Sequence, residues 1–174
     1  MHPNLQIAYE KLEHQRKQIV ESIKNLPEDI YKTAPDGKWS IAQILMHLLT
    51  AERLSIAYMK KKSLGIDGLK NSGIKQKLVA VLLKISQRGP FRFTAPKVIV
   101  ENTPEALTCD ELIARWEKSR ADLKQFLESI PVNHTRKLIY KHPLVGMLDA
   151  TQGINFMYEH IHHHLPQIKR LLNQ

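Results

Sequence analysis

Four segments of the sequence place apolar residues at helical spacing, and three of these segments begin with residues that cap helices. In a capping box, the first side chain accepts a hydrogen bond from the backbone three residues on, where a Glu or Gln side chain bonds back. Such pairs are Ser40 with Gln43, Thr108 with Glu111, and Asp149 with Gln152. The sequence therefore predicts an all-α fold in which each helix buries one apolar face against its neighbours.

The four predicted long helices span about 4–26, 40–62, 108–131 and 149–172, and the first of them ends before Pro27. A shorter apolar stretch, "IKQKLVAVLLKI", predicts one extra helix. Two long connecting loops, 86–108 and 132–148, complete the chain. We expect a four-helix bundle with a short extra helix and long crossover loops. No repeat or composition break marks a second domain, so residues 1–174 are predicted to form a single one.

Composition limits the classes of function. The net charge is +9, but the basic residues are spread over every segment and accompany no nucleic-acid-binding motif, which makes nucleic-acid binding the weaker interpretation. The lone Cys109 excludes an internal disulfide framework, and the first residues lack the apolar region of a secretory signal, so a cytoplasmic location is expected. No apolar run approaches the ~20 residues that cross a bilayer, so no membrane partner is predicted.

The last predicted helix contains "HIHHHLPQI", in which four histidines occur within five positions. On a helical wheel, His160 and His164 lie one turn apart on the same shoulder of the apolar stripe, whereas His162 falls on the opposite shoulder and His163 points outward. His47, on the second predicted helix, lies on a similar shoulder. Because the run is interrupted by an isoleucine and does not end the chain, it is not a purification tag. Periodicity alone does not decide between three metal ligands and ordinary half-buried histidines.

Two stretches resemble a known family. "KWSIAQILMHLLTAE", Lys38 to Glu52, and "HIHHHLPQI", His160 to Ile168, are similar to the second-helix and last-helix motifs of the DinB/YfiT-like superfamily. The resemblance implies a four-helix bundle in which His47, His160 and His164 hold one divalent metal ion, usually zinc or nickel. Members similar to this chain include thiol-dependent S-transferases and a mycothiol-dependent isomerase, and many have no assigned activity.

The chain departs from the family pattern at two positions. Thr50 stands where relatives often carry an acid three residues after the first histidine. Pro166 lacks the N–H that would bond the carbonyl of His162, so a kink or a local opening of the last helix is expected beside the ligands.

A three-histidine ion with open coordination positions would activate an external nucleophile, since the sequence shows no catalytic triad, phosphate loop or paired carboxylates. We therefore predict a metal-dependent hydrolase that uses water, or an S-transferase that uses a low-molecular-weight thiol. Cys109 is interpreted as structural. The scattered basic residues suit an anionic or thiol-bearing substrate. Arg88, Arg92 and Lys97 in the long loop are candidates to cover the mouth of the site, although a solvated basic loop is the ordinary interpretation, and Tyr58 is a candidate to line the pocket.

A different class of function remains open. The same bundle would serve as a non-catalytic metal-binding or dimerisation module if the ion were vestigial or regulatory.

Overall fold

A computed structural model describes residues 1–34, 37–89 and 107–173 of the chain. In order, its helices and strands are α1 (Pro3–Ile23), α2 (Glu28–Lys32), α3 (Ile41–Ser63), α4 (Ile74–Arg88), α5 (Cys109–Ser129), β1 (Leu138–His142), β2 (Gly146–Asp149) and α6 (Ala150–Leu172). Short 3-10 turns cover Ile66–Gly68 and Val132–His134. The all-α prediction is confirmed, with the addition of one small hairpin.

The three predicted capping boxes form as the sequence indicates. The side chains of Ser40, Thr108 and Asp149 each accept a bond from the backbone N–H three residues on. In return, the backbone N–H of each capping residue donates to the side-chain oxygen of the Gln or Glu there. Because each box satisfies two N–H groups that a helix start leaves unpaired, α3, α5 and α6 begin within one residue of the predicted positions.

The four long helices form a ring in which each packs against two others. α1 packs against α5 and α6, and α3 packs against the same two helices. α1 and α3 are therefore diagonal neighbours, as are α5 and α6, so the connections from α1 to α3 and from α5 to α6 cross the bundle. Fully buried aliphatic residues and Trp116 fill the space between the four helices. α4 packs on the outside of α6, and the hairpin packs on α3 and α6.

The β1–β2 hairpin lies in a segment that the sequence analysis treated as a loop. β1 and β2 pair antiparallel from Leu138 opposite Asp149 to His142 opposite Gly146. Gly146 has φ +82°, a left-handed conformation that glycine adopts without a steric penalty. The strands are five and four residues long, too short for an alternating pattern to stand out beside strong helical periodicity.

None of the helices in the described ranges is both long and apolar enough to cross a membrane.

Candidate metal centre

Adjacent helices bring the three predicted histidine ligands together. His47 lies in the first half of α3, and His160 and His164 lie one turn apart on α6. Each histidine offers one ring nitrogen, and these three nitrogens all lie within 4.8 Å of one another. The Nε2 atoms of His47 and His160 are 3.2 Å apart. The helical-wheel placement of these three side chains on facing shoulders of α3 and α6 agrees with their positions in the structure.

The spacing suits a small divalent ion. Two nitrogens bound at about 2.0–2.1 Å to a tetrahedral ion are separated by roughly 3.3 Å. The 3.2 Å between the Nε2 atoms of His47 and His160 matches that separation. Three imidazoles would leave one position of a tetrahedral ion open, as in catalytic rather than structural zinc sites. The donor set also fits nickel, which imidazole ligands suit equally well.

Burial keeps the three imidazoles in the neutral form that binds metal. His47 and His164 are buried and His160 is half-buried. Burial lowers the pKa of His47 to about 4, with a smaller contribution from His164. Burial and the neighbouring histidines hold the pKa of His160 well below its ordinary value. Burial also lowers the pKa of His164, against an opposing hydrogen bond to Gln167. The three ligands are therefore ready to bind an ion at neutral pH without first losing protons.

Neighbouring side chains fix the orientation of the ligand rings. His164 Nδ1–H donates to Gln167 Oε1 at 3.0 Å, which leaves Nε2 as the nitrogen that could bind an ion. Phe156, one turn before His160, stacks on that ring at 5.7 Å between centroids and 9° between planes. Trp39, just before the cap of α3, leans against His47 at 5.2 Å. Trp39 is 42% exposed, so it lies where the site meets solvent.

The end of α4 is bonded to the residues that directly precede two of the ligands. Arg88 donates to both carboxylate oxygens of Glu159, from Nε at 2.7 Å and from Nη2 at 3.0 Å. One turn further along α6, His163 Nδ1–H donates to the backbone carbonyl of Gln87 at 2.9 Å. We call these two contacts the α4 clasp. His163, which the wheel pointed outward, is half-buried in this contact.

His142, at the end of β1, is a buried histidine that the sequence analysis did not single out. Its Nδ1 accepts bonds from the backbone N–H groups of Leu144 and Val145, which closes the hairpin turn. Its ring meets the edge of Phe156 at 4.4 Å between centroids, so the hairpin is in contact with the ring that stacks on His160. Burial lowers the pKa of His142 to about 4. Helical periodicity could not reveal a residue that a hairpin positions.

A buried carboxylate, Glu52, was also missed. It accepts bonds from Trp116 Nε1, Ser119 Oγ and Arg120 Nε at 2.9–3.2 Å, and Arg120 Nη2 lies 2.9 Å from its other oxygen. Glu52 and His160 border the same narrow cavity between α3 and α6. The sequence signal for this carboxylate is an acid within an apolar helix, five residues after His47. The family pattern drew attention instead to Thr50, three residues after His47.

The structure describes most of the other residues that the sequence singled out. Tyr58 does not line the metal centre, because it lies three turns along α3 from His47 and its hydroxyl faces Met147 of the hairpin. Cys109 is buried, and its Sγ–H donates to the carbonyl of Ile23, consistent with a structural role. α6 continues as a helix through Pro166 to Leu172. Arg92 and Lys97, which were candidates to cover the site, lie outside the described residues. Arg88 ends α4 rather than lying in a loop.

The fold and the three converging imidazoles define a helical bundle with a candidate three-histidine metal centre. The model of the DinB superfamily matches residues 11–168, and the chain belongs to this superfamily. No curated protein matches the sequence significantly.

A solved structure shares the fold. It is the structure of YfiT from Bacillus subtilis, which is described as "a probable metal-dependent hydrolase with an unusual four-helix bundle topology". The likeness has a TM-score of 0.60 at 13% sequence identity, over 98% of this chain and 87% of that one. At this identity the comparison shows the four-helix bundle fold and no more.

Proposed function

We propose that the chain is a metal-dependent enzyme in which His47, His160 and His164 hold one divalent ion, zinc or nickel, that activates an external nucleophile. The observation that carries this proposal is the approach of three neutral ring nitrogens to within 4.8 Å of one another. The nucleophile is water in a hydrolase or a low-molecular-weight thiol in an S-transferase. The description of YfiT as a metal-dependent hydrolase supports the first of these.

The chain's own residues supply binding and orientation. When bound, a divalent ion at three imidazoles lowers the pKa of a coordinated water or thiol and polarises a substrate carbonyl. His164 is held in one tautomer by Gln167, and Phe156 limits the tilt of the His160 ring. Trp39, half-exposed beside His47, offers an aromatic surface on which a substrate would rest.

The nucleophile has to come from outside the chain. Cys109 lies at the start of α5, where its thiol contacts the end of α1, and burial raises its pKa above the ordinary thiol value. A thiol of raised pKa is a poor nucleophile at neutral pH. Glu52 already accepts from three residues, so its carboxylate is engaged in holding α3 to α5 rather than free to move a proton.

Among the described residues, unpaired cations lie away from the three histidines, so we do not base substrate recognition on an anionic group. A groove of about 440 Å³ is lined by residues that include Arg53, Lys60, Arg115 and Lys118. It lies between α3 and α5, whereas His47 faces α6. Arg88, which contacts the residue directly before His160, is already bonded to Glu159. We therefore place substrate recognition on aromatic and metal contacts.

The experiment that tests the function is turnover by metal-loaded, untagged protein. One assay offers activated esters with water as nucleophile, and the other offers an aryl halide with a panel of low-molecular-weight thiols. We expect activity in one assay with zinc or nickel, its loss in His47→Ala, and its retention in His162→Ala. Activity that persists in His47→Ala would show that the histidines do not carry the reaction.

A second candidate function is a non-catalytic metal-binding or dimerisation module. It is favoured by the same three nitrogens, which bind an ion whether or not a reaction follows. Stoichiometric metal in the wild type, without turnover in either assay, would support it over the enzyme.

A further inference from the structure

One helix of the fold turns its apolar face away from the protein. α4 contains five aliphatic side chains that are 56–77% exposed: Ile74, Leu78, Val81, Leu82 and Ile85. Elsewhere in the described residues, large exposed hydrophobic side chains are scattered, whereas these five share one short helix. Scattered apolar residues are normal on a surface, but a continuous apolar patch marks a place of interaction. We call these five residues the α4 stripe.

The stripe has the spacing of a helix face. At about 100° per residue, its five members fall within an arc of roughly 100°. Leu83 and Gln87, the buried residues of α4, lie on the opposite side of the helix, and α4 packs there against α6. The apolar periodicity of "IKQKLVAVLLKI" is therefore directed mainly outward rather than into the bundle.

Cations flank the stripe. α4 contains Lys75, Lys77, Lys84 and Arg88, and its fifteen residues include no Asp or Glu. Lys75 lies on one edge of the stripe, and Lys77 lies on the other. Arg88 is bonded to Glu159 and Lys84 lies 4.0 Å from the same carboxylate. Lys75 and Lys77 have no ion-pair partner among the described residues, so they remain available to an anionic surface.

We propose that α4 lies flat on an anionic lipid surface, with the stripe among the acyl chains and Lys75 and Lys77 at the level of the headgroups. Helices that bind membranes in this way combine an apolar face with flanking Lys or Arg, and neither their length nor their hydrophobicity needs to suffice for crossing. The absence of a spanning segment, on which the expectation of no membrane partner rested, does not bear on such a helix.

A second copy of the chain fits the stripe less well. Two α4 helices packed together would bring the basic flanks of both copies into contact, which like-charge repulsion disfavours. Five residues are also far fewer than the roughly 20–30 residues that each partner contributes to a stable protein interface. A lipid surface satisfies the apolar stripe and its lysines at the same time.

The test is flotation of the full-length, untagged chain with lipid vesicles in the presence of a chelator, so that metal ions do not bridge protein and lipid. Vesicles contain phosphatidylcholine alone or phosphatidylcholine mixed with phosphatidylglycerol. The variant Leu78→Gln/Leu82→Gln removes two stripe residues while keeping good helix formers. Lys75→Gln/Lys77→Gln removes the flanking charge. Val132→Gln/Leu144→Gln, at exposed apolar positions outside α4, is the matched control.

We expect the wild type and the control to bind the anionic vesicles about tenfold or more better than phosphatidylcholine alone. Both α4 variants should lose most of that binding while keeping the helical circular dichroism of the wild type. Equal binding by wild type and the Leu78→Gln/Leu82→Gln variant would overturn the proposal, as would no binding to anionic vesicles. A concentration-dependent dimer in sedimentation, abolished by the same variant, would also overturn it by assigning the stripe to a second copy.

Discussion

The histidines around the candidate centre are held neutral by burial, and this property has a measurable effect on stability. His47 and His142 have a pKa of about 4 in the fold, against an ordinary value of 6.5. The pKa values of His160 and His164 are lowered as well. Between the two pKa values, the unfolded chain binds protons that the folded chain does not, so the free energy of unfolding must fall as pH falls.

We predict that the metal-free protein keeps full stability above about pH 6.5 and loses it progressively down to about pH 4. At pH 5.5, compared with neutral pH, the proton that each of His47 and His142 binds only in the unfolded chain should lower the free energy of unfolding by on the order of 1 kcal/mol. Urea unfolding with a chelator, from neutral pH downward, measures this loss. The His142→Gln variant should lose less stability over the same range, whereas an identical pH profile would show that His142 is not held neutral.

At this scale the sequence predicted that His47, His160 and His164 would lie on facing shoulders of two helices, but it did not predict their surroundings. His47, His160 and His164 could be placed because each lies on a regular helix, whose phase follows from residue number. His142 and Glu52 could not, because their burial depends on which elements pack together. Glu52 is stabilised by Trp116, Ser119 and Arg120 on α5, and nothing in the sequence around residue 52 shows that these residues face it.

Among the elements, α6 is the most tightly constrained, since it carries two ligands and packs against α1, α3, α4 and the hairpin. At its start, Gly153 lies against Tyr140 of β1. A Cβ atom built on Gly153 would lie 2.9 Å from Tyr140 Cγ and 3.1 Å from its Cβ, closer than side chains can tolerate. Further along, the α4 clasp bonds Glu159 and His163 on the side of α6 next to the ligands.

Gly153→Ala should destabilise the protein by about 1–3 kcal/mol, because the added methyl group must push the hairpin away from α6. In an open helix the same change would instead be stabilising. Gly65→Ala is the control, since no atom lies within 4 Å of a Cβ there. Chemical denaturation measures the free energy of unfolding of both variants. A Gly153→Ala protein as stable as the wild type would mean that the hairpin does not pack closely on α6.

The α4 clasp leads to a prediction for the metal centre, which rests on the proposed function. Glu159→Gln removes the ion pair with Arg88. Without it, α6 can rotate more freely about its axis, and the ring nitrogens of His160 and His164 are held less firmly towards His47. We expect metal affinity to fall about tenfold, in the range seen for residues that orient ligands. Competition with a chelating dye measures it. Glu128→Gln, at an exposed position on α5, should leave affinity unchanged, and an unchanged affinity in Glu159→Gln would remove the clasp from the account.

The sequence predicted elements where a local signal exists. Each capping box marks a helix start, and the predicted positions of α3, α5 and α6 are confirmed. The end of α1 was placed at Leu26, but the helix ends at Ile23, where a turn leads into the short α2 at Glu28. The hairpin was missed because its strands are stabilised by pairing and by packing on α3 and α6, which a short stretch of sequence does not reveal.

For the molecule as a whole, the ring of α1, α6, α3 and α5 encloses an apolar core of buried aliphatic and aromatic side chains. A chain of 174 residues buries enough apolar surface to fold without an ion. We therefore expect the metal-free chain to stay folded, unlike small zinc domains that unfold when metal is removed.

Metal should raise the stability of a protein that is already folded. Free ion at a hundred times Kd adds about 2.7 kcal/mol, which corresponds to a rise in Tm of roughly 5–10 °C for a domain of this size. Thermal melts with chelator, zinc and nickel test this. A metal-free chain that is unfolded at room temperature would instead make the ion structural.

The most direct test of the three-histidine centre is the metal content of untagged protein and four single variants, measured by mass spectrometry after loading with zinc or nickel and removal of free ions. We expect about one ion per chain in the wild type and in His162→Ala, since three imidazoles complete one site. His47→Ala, His160→Ala and His164→Ala should each lose it. A wild type without stoichiometric metal, or an ion that His160→Ala keeps and His162→Ala loses, would contradict the account.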